Sequence, residues 1–476
     1  MPKLFDTAAL GLAAIVLATV LLHLAIPLPS DVSWLITVNA RMLDGQRLYA
    51  DILETNPPMA VWLYTLPAVL ERPTGVMAES WTIVETVVGA LLAIGLGTRI
   101  LAGTALRVPL AVAAGVVLLL PVDSFAQREH FVLFGLLPWL ALAWRRYEGG
   151  AFPRWAPAVA GIGLALALAI KPHFALAVLA VAVLVSAHRR NWRLLLATEH
   201  WICGGLLILY GLVIVVAYPA FLTAVLPAAS LLYLPLRMES DLLLLQPHAL
   251  LIYFVLLAAV LYRRQITGGI PVVLVAIVAC FAVYVIQGKG WSYHLLPGTT
   301  LAALVFLELA LRAPAPRWHT AVPVGFLVVL AVPPTLLVFG ALARPEPLLS
   351  LARYGRGQTL LFITSDIGLG NPVSRQLGDT IVNSSPMLWR ATGVLALEHT
   401  AAASDLPMLE GFMQEDYALL AHDLSSAPDL VLADTEGFDW LAWAGHDPAV
   451  AAMLRGYRPD GVIATHGTEV TVLRRR

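Results

Sequence analysis

Apolar runs long enough to cross about 30 Å of hydrocarbon recur from residue 7 to residue 341, separated by short polar connections. The pattern predicts about eleven spans, near 7–27, 77–100, 108–122, 130–146, 156–170, 174–188, 196–218, 248–262, 269–286, 295–312 and 320–341. The first run, Ala8 to Ile26, exceeds a signal-peptide core and lacks a small-residue cleavage site, so it reads as a retained span. Two connections are long. In 28–75, Trp34, Leu35, Val38 and Met42 recur at helical spacing up to Gly45, which predicts an amphipathic interfacial helix with Trp34 at headgroup depth. A second helical stretch follows Pro57-Pro58, a favourable helix start. The other, 219–247, sets Arg237, Glu239 and Asp241 among leucines and also reads as interfacial.

From about residue 342 the period changes. Short β-rich runs at Leu360–Thr364, Leu430–Ala433, Gly461–Thr465 and Glu469–Leu473 alternate with helical patterns at Met408–Leu424 and Asp447–Leu454. The pattern predicts a membrane domain over 1–341 and a small α/β domain over 342–476, joined by Arg344-Pro345-Glu346-Pro347. No internal repeat of the kind that builds inverted-repeat transporters is visible.

Composition supports this picture. Charged residues make up 13% of the 476, against roughly a quarter in a soluble domain. A net charge of −1, with no basic tail, gives nucleic acid no footing as a partner. Cys203 and Cys280 both lie in apolar runs and read as small buried packing residues.

Charge also orients the chain. Arg99 and Arg107, Arg145 with Arg146 and Arg154, Arg189 with Arg190 and Arg193, Arg263 with Arg264, and Arg312 with Arg317 fall on alternate connections. Basic loops stay in the cytoplasm, which places the N-terminus inside. With an odd number of spans, the C-terminal domain is then outside.

That orientation singles out the cations on the outer connections, which run against the bias. They are Arg41 and Arg47, Arg128 in Gln127-Arg128-Glu129-His130, Lys171 in Lys171-Pro172-His173, and Lys289 in Gln287-Gly288-Lys289-Gly290-Trp291-Ser292-Tyr293-His294. Lys171 sits between two apolar runs with almost no polar loop. It either caps a helical hairpin and snorkels, or joins Arg128 and Lys289 in binding a phosphate. Asp31, Asp44, Asp51, Glu54, Asp123 and Glu129 share the outer layer. Asp31 could cap the helix that starts near Trp34, or take the proton of an acceptor hydroxyl. Asp44-Gly45 could be a simple turn. Glu54 and Asn56 precede a backbone stiffened by Pro57-Pro58. His130, His173 and His294 could bind a metal, hydrogen-bond a phosphate or donate protons, and their spacing matches no metal motif. Trp291 and Tyr293 suit either an aromatic belt or sugar stacking.

One stretch carries a family resemblance. Asp31, then Ala40-Arg41-Met42-Leu43-Asp44-Gly45-Gln46-Arg47-Leu48-Tyr49-Ala50-Asp51 and Glu54-Thr55-Asn56-Pro57-Pro58, resembles the bacterial GT-C glycosyltransferases, nearest the protein-mannosyltransferase and aminoarabinose-transferase branch. The match lies in Gly45, Tyr49, Asp51 and Pro57-Pro58, and in the position of Asp31 after the first span. Val32 stands where protein mannosyltransferases carry the second acid of an Asp-Glu pair, which leaves the acceptor open.

The resemblance implies a polytopic inner-membrane enzyme with two jaw helices in its first outer loop and a periplasmic active site. Its donor would be a polyprenyl-phosphate-linked sugar and its acceptor a saccharide or glycolipid of the envelope. Asp31 would be the catalytic base of an inverting transfer. Arg128, Lys171, His173 and Lys289 would hold the donor phosphate. Arg41, Tyr49, Asp51, Glu54, Asn56, Glu129, His130, Tyr293 and His294 would bind substrate. No cofactor is implied for certain, and a divalent metal stays an open option. The competing readings are a transporter or flippase of a lipid-linked saccharide, which would need charge through the bundle midplane, and a non-catalytic envelope scaffold.

Overall fold

The structure is a computed structural model that describes residues 2–312, 347–399, 401–464 and 468–476. The eleventh predicted span, 320–341, the start of the linker and the boundary at 341 fall outside the described residues. Each of the other ten predicted spans coincides with a helix. Among the described residues, four helices are long and apolar enough to cross a membrane alone: Ala78–Ile100, Trp192–Ala217, Ile270–Gln287 and Ser292–Arg312. Others are shorter. Leu110–Leu119 has ten residues, or about 15 Å at 1.5 Å per residue.

The described chain divides by its contacts into two units. One holds residues up to 26, 57–216 and 237–312; the other holds 27–56, 217–236 and the C-terminal residues. The start of the first outer loop and the segment after the Thr198–Ala217 helix therefore group with the C-terminal domain, although the sequence pattern assigns them to the membrane part.

The first unit is a helical bundle. The Arg128–Glu148 helix is buried along nearly its whole length, from Arg128 to Trp144, and Gly149 in the left-handed conformation (φ +71°) ends it. It packs against Ala78–Ile100 and, antiparallel, against Ala156–Ile170. The second pairing is close because glycines meet there. A methyl built on Gly163 would stand 2.5 Å from the Gly135 carbonyl oxygen, and one on Gly135 would clash with Gly163 in return. Small residues facing each other are how membrane helices bring backbones together. At the other extreme, Trp192–Ala217 turns Ile208, Leu209 and Val216 outward, the last 81% exposed, an apolar surface suited to lipid.

The second unit is built on a five-stranded sheet. Its strands are β1 (Thr359–Ile363), β2 (Thr380–Ile381), β3 (Leu430–Asp434), β4 (Tyr457–Ala464) and β5 (Glu469–Arg475), in the order β2-β1-β3-β5-β4. β2, β1 and β3 run parallel, and β5 and β4 are antiparallel. Side chains alternate across a strand, and here both faces are covered. Leu361, Ile363, Val431 and Ala433 pack with Tyr417, Leu420, Trp440 and Trp443 on one face. Leu360, Phe362, Leu430 and Leu432 pack with Leu369, Val373 and Val472 on the other. That is why β1 and β3 read as unbroken apolar runs. The predicted helices form as Leu406–Ser425 and Pro448–Leu454, the latter capped by Asp447, whose carboxylate accepts from the Ala449 and Val450 amides at 2.9 Å.

In the first outer loop Trp34 is 1% exposed, inside a helix (Ser30–Leu43) buried from Val32 to Asn39. The segment after residue 217 winds through wide π turns, Phe221–Val225 and Ala229–Tyr233, and Ala228 and Leu232 pack on Trp389, Val394 and Leu409. Gly393 permits this approach, since a side chain there would meet the Leu232 carbonyl.

Candidate active site

The Gly135–Gly163 crossing sets the geometry at one end of the bundle. Glu129 lies six residues before Gly135, and Lys171 eight residues after Gly163. At 1.5 Å per residue both end about 10 Å from the crossing, at the same level. There the Lys171 ammonium stands 3.1 Å from Glu129 Oε1, and His294 Nε2 lies 3.9 Å from the same oxygen. Arg128, Lys171, His173 and Lys289 all lie close enough to His294 to act on it electrostatically. Four residues singled out on three connections thus lie around one histidine.

Local sequence explains each placement. Pro172 ends the Ala156–Ile170 helix, leaving Lys171 extended at φ −141°, ψ 89°. Arg128 and Glu129 open the following helix. Before them the chain is strained: Val122 and Ala126, neither a glycine, adopt φ of +28° and +59°. Gly288 and Gly290 flank Lys289 at φ +67° and +76°, and a side chain at either would strike Arg237 or Met238. Arg237 donates to the Val285 and Ile286 carbonyls at 2.9 and 2.6 Å, closing the end of the Ile270–Gln287 helix. Asp123 ties the two connections together, accepting from Ser292 at 3.0 Å, while Ser124 and Ser292 hydroxyls lie 3.2 Å apart.

The cluster is a buried layer of charge. Glu129 has no exposed surface and Arg128 is 4% exposed. Among the described residues, Glu129 Oε2, His173 Nε2 and His294 Nδ1 have no hydrogen-bond partner. Burial, with Arg237 adding to it, pulls the Lys289 ammonium down to about 8. No group of three or more His, Cys, Asp or Glu side chains among the described residues is arranged to hold a metal ion.

The bundle geometry and the C-terminal sheet can be set against known structures. No protein-family model matches the chain, and no curated protein matches it by sequence. Crystal structures match it along its length, two of one protein among them. One is ArnT from Cupriavidus metallidurans bound to undecaprenyl phosphate, at 14% identity, TM-score 0.59, with 98% of each chain covered. The other is the same protein in the apo state, at 13% identity, TM-score 0.58 and the same coverage. The chain shares the fold of these two structures: a polytopic bundle of apolar helices and a small C-terminal sheet.

Within this fold the remaining predicted residues take varied positions. Asp31 lies in the first turn of the Ser30–Leu43 helix. Pro29, not Asp31, is the N-cap residue, and the carboxylate near a helix N-terminus is in a favourable field. Glu54 is 1% exposed. Its carboxylate accepts from the Trp34 indole at 2.7 Å and from the Asn56 amide and side chain at 2.8 and 2.6 Å. Glu54 and Asn56 thus hold the loop itself. Tyr49, in the left-handed region at φ +67°, is buried with its hydroxyl donating to the Asn56 carbonyl and its ring against Phe221. Asp51 pairs with Arg47, which holds its carboxyl down at about 2. Arg41 donates to Gln46 and to the Asn383 carbonyl. His130 is fully buried: Nε2 lies 2.8 Å from the Val117 carbonyl and Nδ1 accepts from the Ala126 amide at 3.3 Å. Both its nitrogens are engaged in helix packing. Tyr293 stands beside His294, ring centroids 4.7 Å apart.

Sequence reasoning missed three residues: Ser292, which links to Asp123, and, in the other unit, Asn383, which accepts from Arg41, and Asp423, which accepts from Ser384. Ser292 stood in a motif already noticed. The other two carry no local signal, because their partners are distant in sequence.

Proposed function

We propose that this protein is an inverting glycosyltransferase of the cytoplasmic membrane, moving a sugar from a polyprenyl-phosphate donor to an envelope saccharide or glycolipid on the periplasmic face. The observation that carries the reading is the convergence of Arg128, Lys171, His173 and Lys289 on His294, an anion site at one end of an apolar bundle. The similarity to a protein crystallised with undecaprenyl phosphate supports a polyprenyl phosphate as the ligand. The alternate basic loops support a periplasmic location for this end and for the C-terminal domain.

In the proposed reaction the acceptor hydroxyl oxygen attacks the anomeric carbon as the bond from that carbon to the phosphate oxygen breaks. Asp31 takes the hydroxyl proton, and the electron pair leaves with polyprenyl phosphate. Arg128 offers a bidentate fork, and Lys171 and Lys289 offer point charges, for the charge that grows on the departing phosphate. Attack opposite the leaving group inverts the anomeric centre. Among the described residues, the Arg146–Glu199 and Arg312–Glu308 pairs, at 2.8 and 2.6 Å, lie at the opposite end of the bundle.

The test is transfer of radiolabelled sugar from polyprenyl-phosphate donors in proteoliposomes, wild type beside Asp31→Asn. A positioned general base contributes about 10²–10⁴ in rate, so a loss of that order is expected. Equal activity in both proteins would remove Asp31 as base. No transfer from any donor would overturn the enzyme reading.

A further inference from the structure

The carboxyl ends of parallel strands are where an α/β sheet ordinarily binds its ligand. Here the carboxyl ends of β1 and β2 lead to Thr364 and to Asn383-Ser384, and this edge carries the first outer loop. The Ser30–Leu43 helix packs on the Ile367–Leu369 turn that follows β1. The Leu53 amide donates to the Ser384 carbonyl at 2.7 Å, and Arg41 donates to the Asn383 carbonyl at 2.5 Å.

Both acceptors are fixed from beneath. The Asn383 side chain pairs with the Phe362 amide and carbonyl in β1, at 2.8 and 2.7 Å. Ser384 donates through its amide and hydroxyl to the two carboxylate oxygens of Asp423, at 2.8 and 2.6 Å. Asp423 is 6% exposed and lies on the Leu406–Ser425 helix. The residue after Leu53 is Glu54, which grips Trp34, and Trp34 is one turn beyond Asp31 on the same helix face. A chain of contacts therefore runs from Asp423 through Ser384, Leu53, Glu54 and Trp34 to the helix that carries Asp31.

We infer that Asp423 is a positioning residue, and that the C-terminal domain acts as a latch that fixes the orientation of the Asp31 helix. The chemistry supports this assignment. A buried carboxylate taking two bonds from one serine makes that serine's carbonyl a rigid acceptor, and charged hydrogen bonds are the strong ones. Misplacement of a catalytic group by about 1 Å can cost about 10²-fold in rate, so a latch acting at a distance can still set turnover. This inference rests on the reading of Asp31 as base.

The experiment compares full-length wild type, Asp423→Ala and Ser384→Ala in proteoliposomes, reading amide deuterium uptake alongside steady-state kinetics. Losing bonds to a charged acceptor predicts exchange at Leu53 faster by about 10- to 100-fold in Asp423→Ala, and by less in Ser384→Ala, which keeps its backbone amide bond. Turnover should fall about tenfold or more, with donor affinity within about twofold of wild type. Unchanged exchange at Leu53 in both variants would overturn the latch, as would released exchange with undiminished turnover. If exchange in β1 and β3 shows that Asp423→Ala has unfolded the domain, Ser384→Ala carries the same test. Exchange does not depend on activity: an opened loop beside a fully active Asp31→Asn protein would sink the base assignment and leave the mechanical latch standing.

Discussion

Lys171 Nζ lies 3.1 Å from a carboxylate oxygen of Glu129, a side chain with no exposed surface. The pair joins the end of one helix to the start of another and is the floor of the cation cluster. A buried pair of this kind is costly to break, because removing one partner strands the other's charge.

Lys171→Ala is accordingly expected to lower stability by about 3–5 kcal/mol and to weaken binding of polyprenyl phosphate. Adding Glu129→Gln should restore most of the stability without restoring the binding, because the stranded charge is gone while the phosphate still lacks its ammonium. Thermal unfolding in detergent and lipid-binding titrations separate the two effects. Undiminished affinity in Lys171→Ala would remove Lys171 from the phosphate site.

Lys289 makes the site sensitive to alkaline pH. Its ammonium has been pulled down to about 8 by burial, and only the protonated form attracts phosphate. Donor affinity should therefore hold below pH 8 and fall as pH rises above it, the fall being softened because bound phosphate favours the proton. Lys289→Arg stays charged there and should flatten the profile. A wild-type affinity independent of pH up to 10 would contradict this.

The glycine crossing is expected to control the site from a distance. In Gly163→Ala the new methyl meets the Gly135 carbonyl oxygen at 2.5 Å, so the helices must part. Overpacking of this kind costs about 1–3 kcal/mol. Donor affinity should fall with it, because Glu129 and Lys171 ride on the two helices. Gly204→Ala, where nothing lies within 4 Å, is the control and should leave both quantities near wild type. Equal behaviour of the two variants in melting temperature would refute the role of the crossing.

How much of this could be read from the chain differs by element. The helix Arg128–Glu148 and the strands β1 and β3 were readable because burial on all sides demands unbroken apolar runs. β2 was not, having two residues and no pattern of its own. Lys171 stood out because a cation wedged between apolar runs is costly without a partner. The contacts that Tyr49, Glu54 and Asn56 make with Trp34 and one another carry no signal in the sequence pattern. The polar neighbours of the buried His130, Arg128 and Glu129, gave no sign of its carbonyl partner, Val117, thirteen residues earlier.

By itself, then, the sequence determined the helices at ten predicted spans, the strands of the sheet other than β2, and the set of cations set apart from the basic loops, since hydrophobic period and charge are local properties. Only tertiary structure decided which of those cations meet. Their convergence depends on two glycines letting helices touch, and the link from Asp423 to the Asp31 helix depends on folding that brings distant segments together. Neither relation leaves a periodic trace in the chain, because a contact between remote residues imposes no spacing on the residues between them.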